Sequence, residues 1–215
     1  MPILHLFKLP SLRRLALLLL LVVPVASWLV VKPVRVVAPT LAGVTCPTAQ
    51  ICLDDASQLA AATALLAEAQ GFVATRLAPL RKAPRVVFCS TAACADAFGL
   101  GARSAVTVGT QGTVIGPRAW KPYYLRHELI HQLQAERLGV LGTMFKPAWF
   151  VEGMAYALSG DPRAVLAEPW QGYRARFGDW FAGVGGGNVW AAAEGLWVAE
   201  FGQKQTLKPL GCRSQ

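Results

Sequence analysis

Two histidines and a glutamate with a spacing suited to metal chemistry stand in the segment HELIH, residues 127–131. On a helix, residues four apart project from one face, so His127 and His131 can bind the same ion. Glu128 lies next to them, where its carboxylate can take a proton from a metal-bound water. From residue 36 onward the chain has no other histidine, which argues against a chance match among scattered surface histidines.

A third candidate ligand stands in the apolar segment PAWFVEGMA, residues 147–155. Glu152 is the only charged residue there, and a carboxylate buried without a partner is destabilising, which favours a cation beside it. Gly153 would allow this helix to pack closely against a neighbour. Two histidines and one carboxylate leave a fourth zinc position open for water, as catalytic sites require. The expected cofactor is therefore one Zn²⁺ per chain, bound by His127, His131 and Glu152.

HELIH followed by WFVEGMA resembles the gluzincin metallopeptidases, which include thermolysin and the zinc aminopeptidases, and especially the small bacterial proteins of the peptidase MA-like group. The resemblance covers about residues 123–160. It implies that His127, His131 and Glu152 are zinc ligands and that Glu128 is the general base and later the proton donor. The implied activity is peptide-bond hydrolysis. We expect an endopeptidase, because the glycine-rich string with which aminopeptidases grip a free N-terminus is absent.

The chain departs from the family next to the third ligand. Thermolysin-like members carry an aspartate four residues after the ligand glutamate, and that aspartate holds a ligand histidine. Tyr156 occupies this position, where its hydroxyl could take over the hydrogen bond or the ring could be a buried structural group.

The tetrahedral intermediate of the reaction needs a further hydrogen-bond donor. Tyr173 is the first candidate, because relatives often place such a tyrosine after the glutamate helix. The other candidates are Tyr123, Tyr124, Arg126 and Tyr156. Relatives also pair an extended substrate with an edge strand just before the active helix, and residues 113–115 are expected to supply that strand.

Two functions other than peptide hydrolysis are compatible with the same residues. A non-catalytic zinc-binding protein of the cell envelope, acting in binding or assembly, would account for the lack of recognisable substrate subsites, but it has no use for the water-activating Glu128. A zinc hydrolase of non-peptide amides or esters would share the chemistry and differ only in the shape of its pocket.

The periodicity of apolar residues predicts the elements that must position these groups. The order predicts an α+β domain with a small mixed sheet followed by a helical half that carries the zinc site. Residues 32–48 are expected to be an extended linker. Helices are predicted at 54–77, 121–138, 148–158, 163–177 and 188–201, and strands at 85–89, 104–108 and 113–115.

The N-terminal segment, residues 1–35, is expected to be separate from the domain of residues 36–215. Residues 15–31 are uncharged and mostly Leu, Val and Ala, and they follow Lys8, Arg13 and Arg14. An uncleaved membrane anchor is favoured because the apolar run continues past Trp28. The alternative is a signal peptide cleaved after Ser27, with secretion of the rest. In both cases the basic residues before the apolar run should stay inside, so the positive-inside rule predicts that the domain lies on the outer side of the membrane.

Five cysteines fit an oxidising compartment. The spacing allows short disulfides between Cys46 and Cys52 and between Cys89 and Cys94, which would leave Cys212 unpaired, although four cysteines permit three connectivities.

The net charge of +9 does not indicate a nucleic-acid partner. Five of the 21 basic residues and none of the 12 acidic residues lie before residue 36, so the domain itself is only mildly basic. It also lacks a basic run with interleaved aromatic residues. The expected partners are a peptide or protein substrate and, through the N-terminal segment, the membrane.

Overall fold

The computed structural model describes residues 12–197, except the side chains of residues 12–14 and 17. The helices there are α1 (Leu12–Val30), α2 (Leu59–Arg76), α3 (Ala92–Ala97), α4 (Pro122–Leu138), α5 (Val140–Met144), α6 (Ala148–Leu158), α7 (Trp170–Val184) and α8 (Val189–Glu194). The strands are β1 (Ile51–Leu53), β2 (Val86–Phe88), β3 (Ala105–Val108) and β4 (Gly112–Ile115). The fold is α+β, with a small mixed sheet before a mostly helical half, as the sequence predicts.

The sheet has the strand order β1-β2-β4-β3. β1, β2 and β4 run parallel, and β3 folds back antiparallel to β4 as the outer arm of a hairpin. The prediction that residues 113–115 form the edge strand is therefore wrong. They belong to β4, which lies between β2 and β3, and the edge strand of this hairpin is Ala105–Val108. β1, at the opposite edge, was not predicted from the sequence.

The inner strands are buried on both faces, and successive side chains enter different cores. Val86 and Phe88 pack with α2, α4, α6 and α7 in what we call the metal-side core. Val87 and Val114 point the other way and pack with Val36, Phe98 and Leu100 in the disulfide-side core. The disulfide-side core also holds cysteines of both predicted disulfides, Cys46–Cys52 and Cys89–Cys94, which are formed.

The prediction of an extended linker at residues 32–48 is wrong. Short 3-10 helices form at Lys32–Val37 and Pro39–Ala42. Proline fixes only φ, and its value suits a 3-10 turn as well as an extended chain. Val36 is fully buried in the disulfide-side core, so burial of valine favours the compact form. The Arg35 guanidinium donates to the Ala97 carbonyl at 2.6 Å, so contacts with the domain begin before residue 36.

The helices of the second half begin and end at residues suited to those positions. α4 starts with Pro122, whose missing N–H is no loss in a first turn. It ends at Leu138, and the next residue, Gly139, has φ of +78°, a conformation that favours glycine. α6 has the bounds predicted for it. The predicted helix at 163–177 instead runs over Trp170–Val184, because the chain before Pro169 forms a loop.

Several predictions concern the chain ends. No helix of the described residues is both long enough and apolar enough to cross a bilayer. The membrane anchor or signal peptide in residues 1–35 stays a prediction. Lys8 and Cys212 lie outside the described residues. The last helix, predicted at 188–201, is shorter than expected, because residues 195–197 do not continue it and residues 198–201 lie outside the described part of the chain. α8 ends at Glu194.

Candidate metal centre

The two histidines of HELIH lie on one face of α4 and converge on a single point. Their rings meet edge to face with centroids 4.7 Å apart, and the two Nε2 atoms are separated by 3.0 Å. Glu152 reaches the same point from α6. Its Oε2 atom lies 3.6 Å from Nε2 of His127 and 3.8 Å from Nε2 of His131. The structure thus brings together the three predicted ligands.

The spacing of these three atoms suits a bound metal ion. Ligand atoms about 2.1 Å from a tetrahedral ion lie about 3.4 Å from one another, and the three observed separations, 3.0, 3.6 and 3.8 Å, bracket that value. Two imidazoles and a carboxylate are ligands for a divalent transition metal. His127, His131 and Glu152 therefore could hold a metal ion.

Close packing of α6 against α7 positions Glu152. A Cβ atom on Gly153 would collide with the carbonyl oxygen of Tyr173 and would lie 2.8 Å from Cβ of Phe177. The absence of a side chain at Gly153 thus lets the backbones approach. Burial acts to raise the pKa of Glu152, but hydrogen bonding with His127 and the electrostatic influence of both histidines outweigh it, so the pKa is lowered. The anionic form needed for metal binding is favoured.

Glu128 is buried beside the ligand atoms but is not one of them. The Thr107 hydroxyl on β3 donates to Oε2 of Glu128 at 2.7 Å, and Oγ1 of Thr107 also lies 2.8 Å from Oγ1 of Thr113. Within the described residues, Oε1 of Glu128 accepts no hydrogen bond. Burial raises the pKa of Glu128, although His131 and Thr107 oppose the shift. A carboxylate with a raised pKa and one oxygen available can accept and return a proton.

Gln134 is a part of the centre that the sequence analysis missed. Its side chain is fully buried, and its Nε2 atom donates to the Val151 carbonyl at 2.9 Å. That contact turns Oε1 towards Nδ1 of His131, 2.9 Å away. Because a carbonyl oxygen can only accept, Nδ1 of His131 carries the proton and its Nε2 lone pair is directed at the ligand cluster. The only sequence signal was a glutamine one turn after the second histidine.

The other predicted residues are divided between the site and the rest of the protein. The Tyr156 ring packs edge-on against the His127 ring, with centroids 4.4 Å apart. Within the described residues it makes no hydrogen bond to either histidine, so its contact is packing. Tyr173 does not reach the site, since its carbonyl faces Gly153 and its ring packs against Trp170. Arg126 is also remote, paired with Glu68.

The ligands line a cleft of about 860 Å³ between the sheet edge and the helices. β3 forms one wall through Ala105, Val106 and Thr107, and Tyr123, Tyr124 and Tyr156 contribute aromatic surface. The strand that reaches the site is thus β3, not the predicted segment 113–115. The arrangement combines a cluster that could hold a metal ion, a buried carboxylate and a strand edge that pairs with no described strand, in one concave site.

No family model, curated protein or solved structure matches the chain.

Proposed function

We propose that the protein is a zinc-dependent peptidase of the gluzincin type, acting as an endopeptidase outside the cytoplasm. The convergence of His127, His131 and Glu152 on one point, with Glu128 buried beside it at the floor of an open cleft, carries this proposal. The order HELIH then WFVEGMA supports the gluzincin assignment.

The three ligands would hold one Zn²⁺, with Gln134 keeping His131 in the tautomer that binds. When bound, zinc supplies Lewis acidity that polarises a carbonyl and lowers the pKa of water to about 7. Two imidazoles and a carboxylate, with a fourth position left open, are the ligand set of a catalytic zinc site rather than a structural one.

Glu128 moves the proton in this proposal. Its Oε1 atom takes a proton from the attacking water, while the hydrogen bond from Thr107 holds Oε2. The carboxyl group then passes the proton to the leaving amine, a transfer favoured by a pKa that burial has raised. Tyr123, Tyr124 and Tyr156 line the cleft and are candidates to donate to the tetrahedral intermediate, whereas Tyr173 is not in the cleft.

The strand edge favours a peptide over a small amide or ester. β3 pairs with β4 on one side, and its other edge is not paired with any described strand. An extended peptide could add to that edge through main-chain hydrogen bonds, beside the ligand cluster. Pairing along the edge binds main-chain groups rather than a chain terminus, so cleavage inside an extended chain is expected.

Two features support a location of the domain outside the cytoplasm. The two disulfides, Cys46–Cys52 and Cys89–Cys94, are typical of an oxidising compartment. The basic and apolar character of residues 1–35 favours a membrane anchor, or a signal peptide whose cleavage would release the domain.

Zinc content of the purified full chain tests the ligand assignment. We expect about one zinc per chain in the wild type and almost none in Glu152→Ala, because two histidines alone hold the ion weakly. Glu68→Ala is a matched control, since Glu68 pairs with Arg126 away from the cleft. Equal zinc in the wild type and in Glu152→Ala would refute the assignment.

Digestion of a peptide library with and without chelator tests the activity. We expect internal cleavage that chelation abolishes and zinc restores. Glu128→Gln should keep zinc and lose about a thousandfold or more in rate, because the amide cannot accept the proton. If zinc-loaded wild type cleaves no peptide, the protein is either a non-catalytic zinc-binding protein or, if it turns over ester or small amide substrates, a hydrolase of another class.

A further inference from the structure

The cleft contains a cation that the proposed reaction does not use. Arg163 lies in the loop between α6 and α7 and lines the same cleft as the metal ligands. Its side chain is 39% exposed, whereas that of its partner Asp161 is 2% exposed. The carboxylate of Asp161 is thus buried beneath a guanidinium that remains open to the cleft.

The guanidinium is held firmly in place. Asp161 accepts hydrogen bonds from Nε and Nη2 of Arg163 and also from its backbone N–H. Arg174 on α7 fixes the loop itself by donating to the carbonyls of Arg163, at 2.8 Å, and Ala164, at 2.7 Å. A cation fixed in advance loses little conformational entropy when it binds a ligand.

Arg163 keeps a hydrogen-bond donor available to a ligand. Asp161 occupies the Nε and Nη2 side of Arg163, and Nη1 donates to no described residue. Three tyrosine rings surround the guanidinium, with its carbon 5.4 Å from the ring centroids of Tyr123 and Tyr124 and 5.9 Å from that of Tyr156. Burial raises the pKa of Tyr123, so its hydroxyl stays protonated and can donate.

Arg163 lies close to the candidate metal ligands. Tyr156 lies between the two, in contact with Arg163 on one side and with the His127 ring on the other. One aromatic ring therefore separates the guanidinium from a metal ligand. An extended peptide advances about 3.3 Å per residue, so Arg163 lies within reach of groups roughly two or three residues from the scissile bond.

We propose that Arg163, seated on Asp161 and enclosed by the three tyrosines, is a subsite for a substrate carboxylate close to the scissile bond. This inference rests on the proposed peptidase function and adds a substrate class to it. The carboxylate is either an acidic side chain or the C-terminal group of a short peptide. Both would accept from Nη1 and from neutral tyrosine hydroxyls in a partly desolvated site, where charge-assisted hydrogen bonds are strong.

Matched pairs of quenched fluorescent peptides test the proposal on the zinc-loaded full chain. One set places Glu or Gln at each position near the cleaved bond, and a second set compares a C-terminal carboxylate with its amide. We expect one set to show a kcat/KM roughly tenfold higher for the carboxylate member, and this set identifies the source of the carboxylate. Arg163→Gln should bring the ratio close to one, whereas Arg81→Gln, at an exposed arginine outside the cleft, should leave it unchanged.

Two further measurements keep the test decisive. Asp161→Asn combined with Arg163→Gln removes the pair without leaving a buried unpaired carboxylate, so it replaces the single variant if that variant fails to fold. Binding of the same peptides to zinc-loaded Glu128→Gln protein reports carboxylate preference without turnover. If binding discriminates but the wild type cleaves nothing, the peptidase proposal fails and the subsite stands. A carboxylate preference that is absent, or that survives Arg163→Gln, overturns the subsite.

Discussion

The two faces of the sheet are packed by different means. The disulfide-side core is apolar and cross-linked by Cys46–Cys52 and Cys89–Cys94, and no buried polar side chain of the described residues lies in it. The metal-side core includes or adjoins the buried polar residues Glu128, Gln134 and Thr113 around the ligand cluster. One face is stabilised by covalent links, whereas the other holds polar groups in the geometry that a bound ion requires. Stability and metal affinity should therefore respond separately to mutation.

The largest expected loss of stability comes from helix packing on the metal side. Gly153→Ala places a methyl group against the Tyr173 backbone, which cannot move cheaply, and should reduce the free energy of unfolding by about 3 kcal/mol. Gly178→Ala is the matched control on α7, because a Cβ atom there meets nothing within 4 Å. The control should be neutral or stabilising by up to about 1 kcal/mol. Denaturant unfolding measures both, and equal effects would contradict the packing argument.

The second prediction compares the effects of two buried glutamines of α4 on zinc affinity. Gln134→Leu should weaken zinc binding by about 10–100-fold, because His131 loses the acceptor that fixes its tautomer. Gln132→Leu is the control, since the Gln132 amide donates to the Lys82 carbonyl and to Glu136 and contacts neither histidine. Competition with a fluorescent zinc chelator gives both affinities. Equal losses would mean that burial of a glutamine, and not its contact with His131, matters to the metal.

The third experiment removes one of the two disulfides of the disulfide-side core. Cys46→Ala with Cys52→Ala should reduce the free energy of unfolding by about 2 kcal/mol, the chain-entropy value for so short a loop. Zinc affinity should not change, because this disulfide lies in the opposite core from the ligands. A loss of zinc affinity as large as that of Gln134→Leu would show that the two faces are not independent.

The smallest effect concerns pH and the loop closed by Cys89–Cys94. Asp54 accepts hydrogen bonds from the backbone N–H groups of Ser90 and Thr91, at 2.7 and 3.0 Å. Burial opposes ionisation of Asp54, but these hydrogen bonds outweigh it and lower the pKa. A lowered pKa means that the carboxylate stabilises the fold above its unfolded pKa of about 4 and that this contribution is lost as pH falls through the folded value.

Asp54→Asn should therefore lose at most about 1 kcal/mol of stability at pH 7, because solvent screens part of the effect at this partly exposed group, and its difference from the wild type should shrink below about pH 4. Asp96→Asn is the control, because the Asp96 carboxylate accepts no hydrogen bond from a described residue. Thermal unfolding between pH 2 and pH 7 distinguishes them. A constant difference across that range would exclude titration of Asp54 as the cause.

The sequence predicted those parts of the site that depend on local periodicity. The spacing of HELIH on one helix placed His127 and His131 on one face, and the bounds of α6 were correct. Convergence of Glu152 on the same point was predicted because an isolated acid in an apolar helix needs a partner. All three inferences use only the geometry of a helix and the energetics of buried charge.

The parts that depend on long-range packing were missed or wrong. Which strand lies at the edge depends on how the β3–β4 hairpin adds to β2, and the sequence of residues 113–115 does not contain that information. Tyr173 was chosen by its position after α6, but Gly153 brings its backbone, not its ring, towards the ligand helix. Thr107 and Gln134 carry no distinctive motif, since their roles arise from partners on other elements.

The contact between Thr107 and Glu128 depends on which face of the β3–β4 hairpin the side chain of Thr107 occupies. Thr107 and Ala105 face the metal side, whereas Val106 and Val108 pack into the opposite core. Side chains alternate along a strand, so a slip of one residue would present a valine to the carboxylate in place of a hydroxyl. Thr107 opposite Thr113 sets this register. Single-residue insertions within β3 should therefore remove the hydroxyl that holds Glu128, although they lie outside HELIH and WFVEGMA.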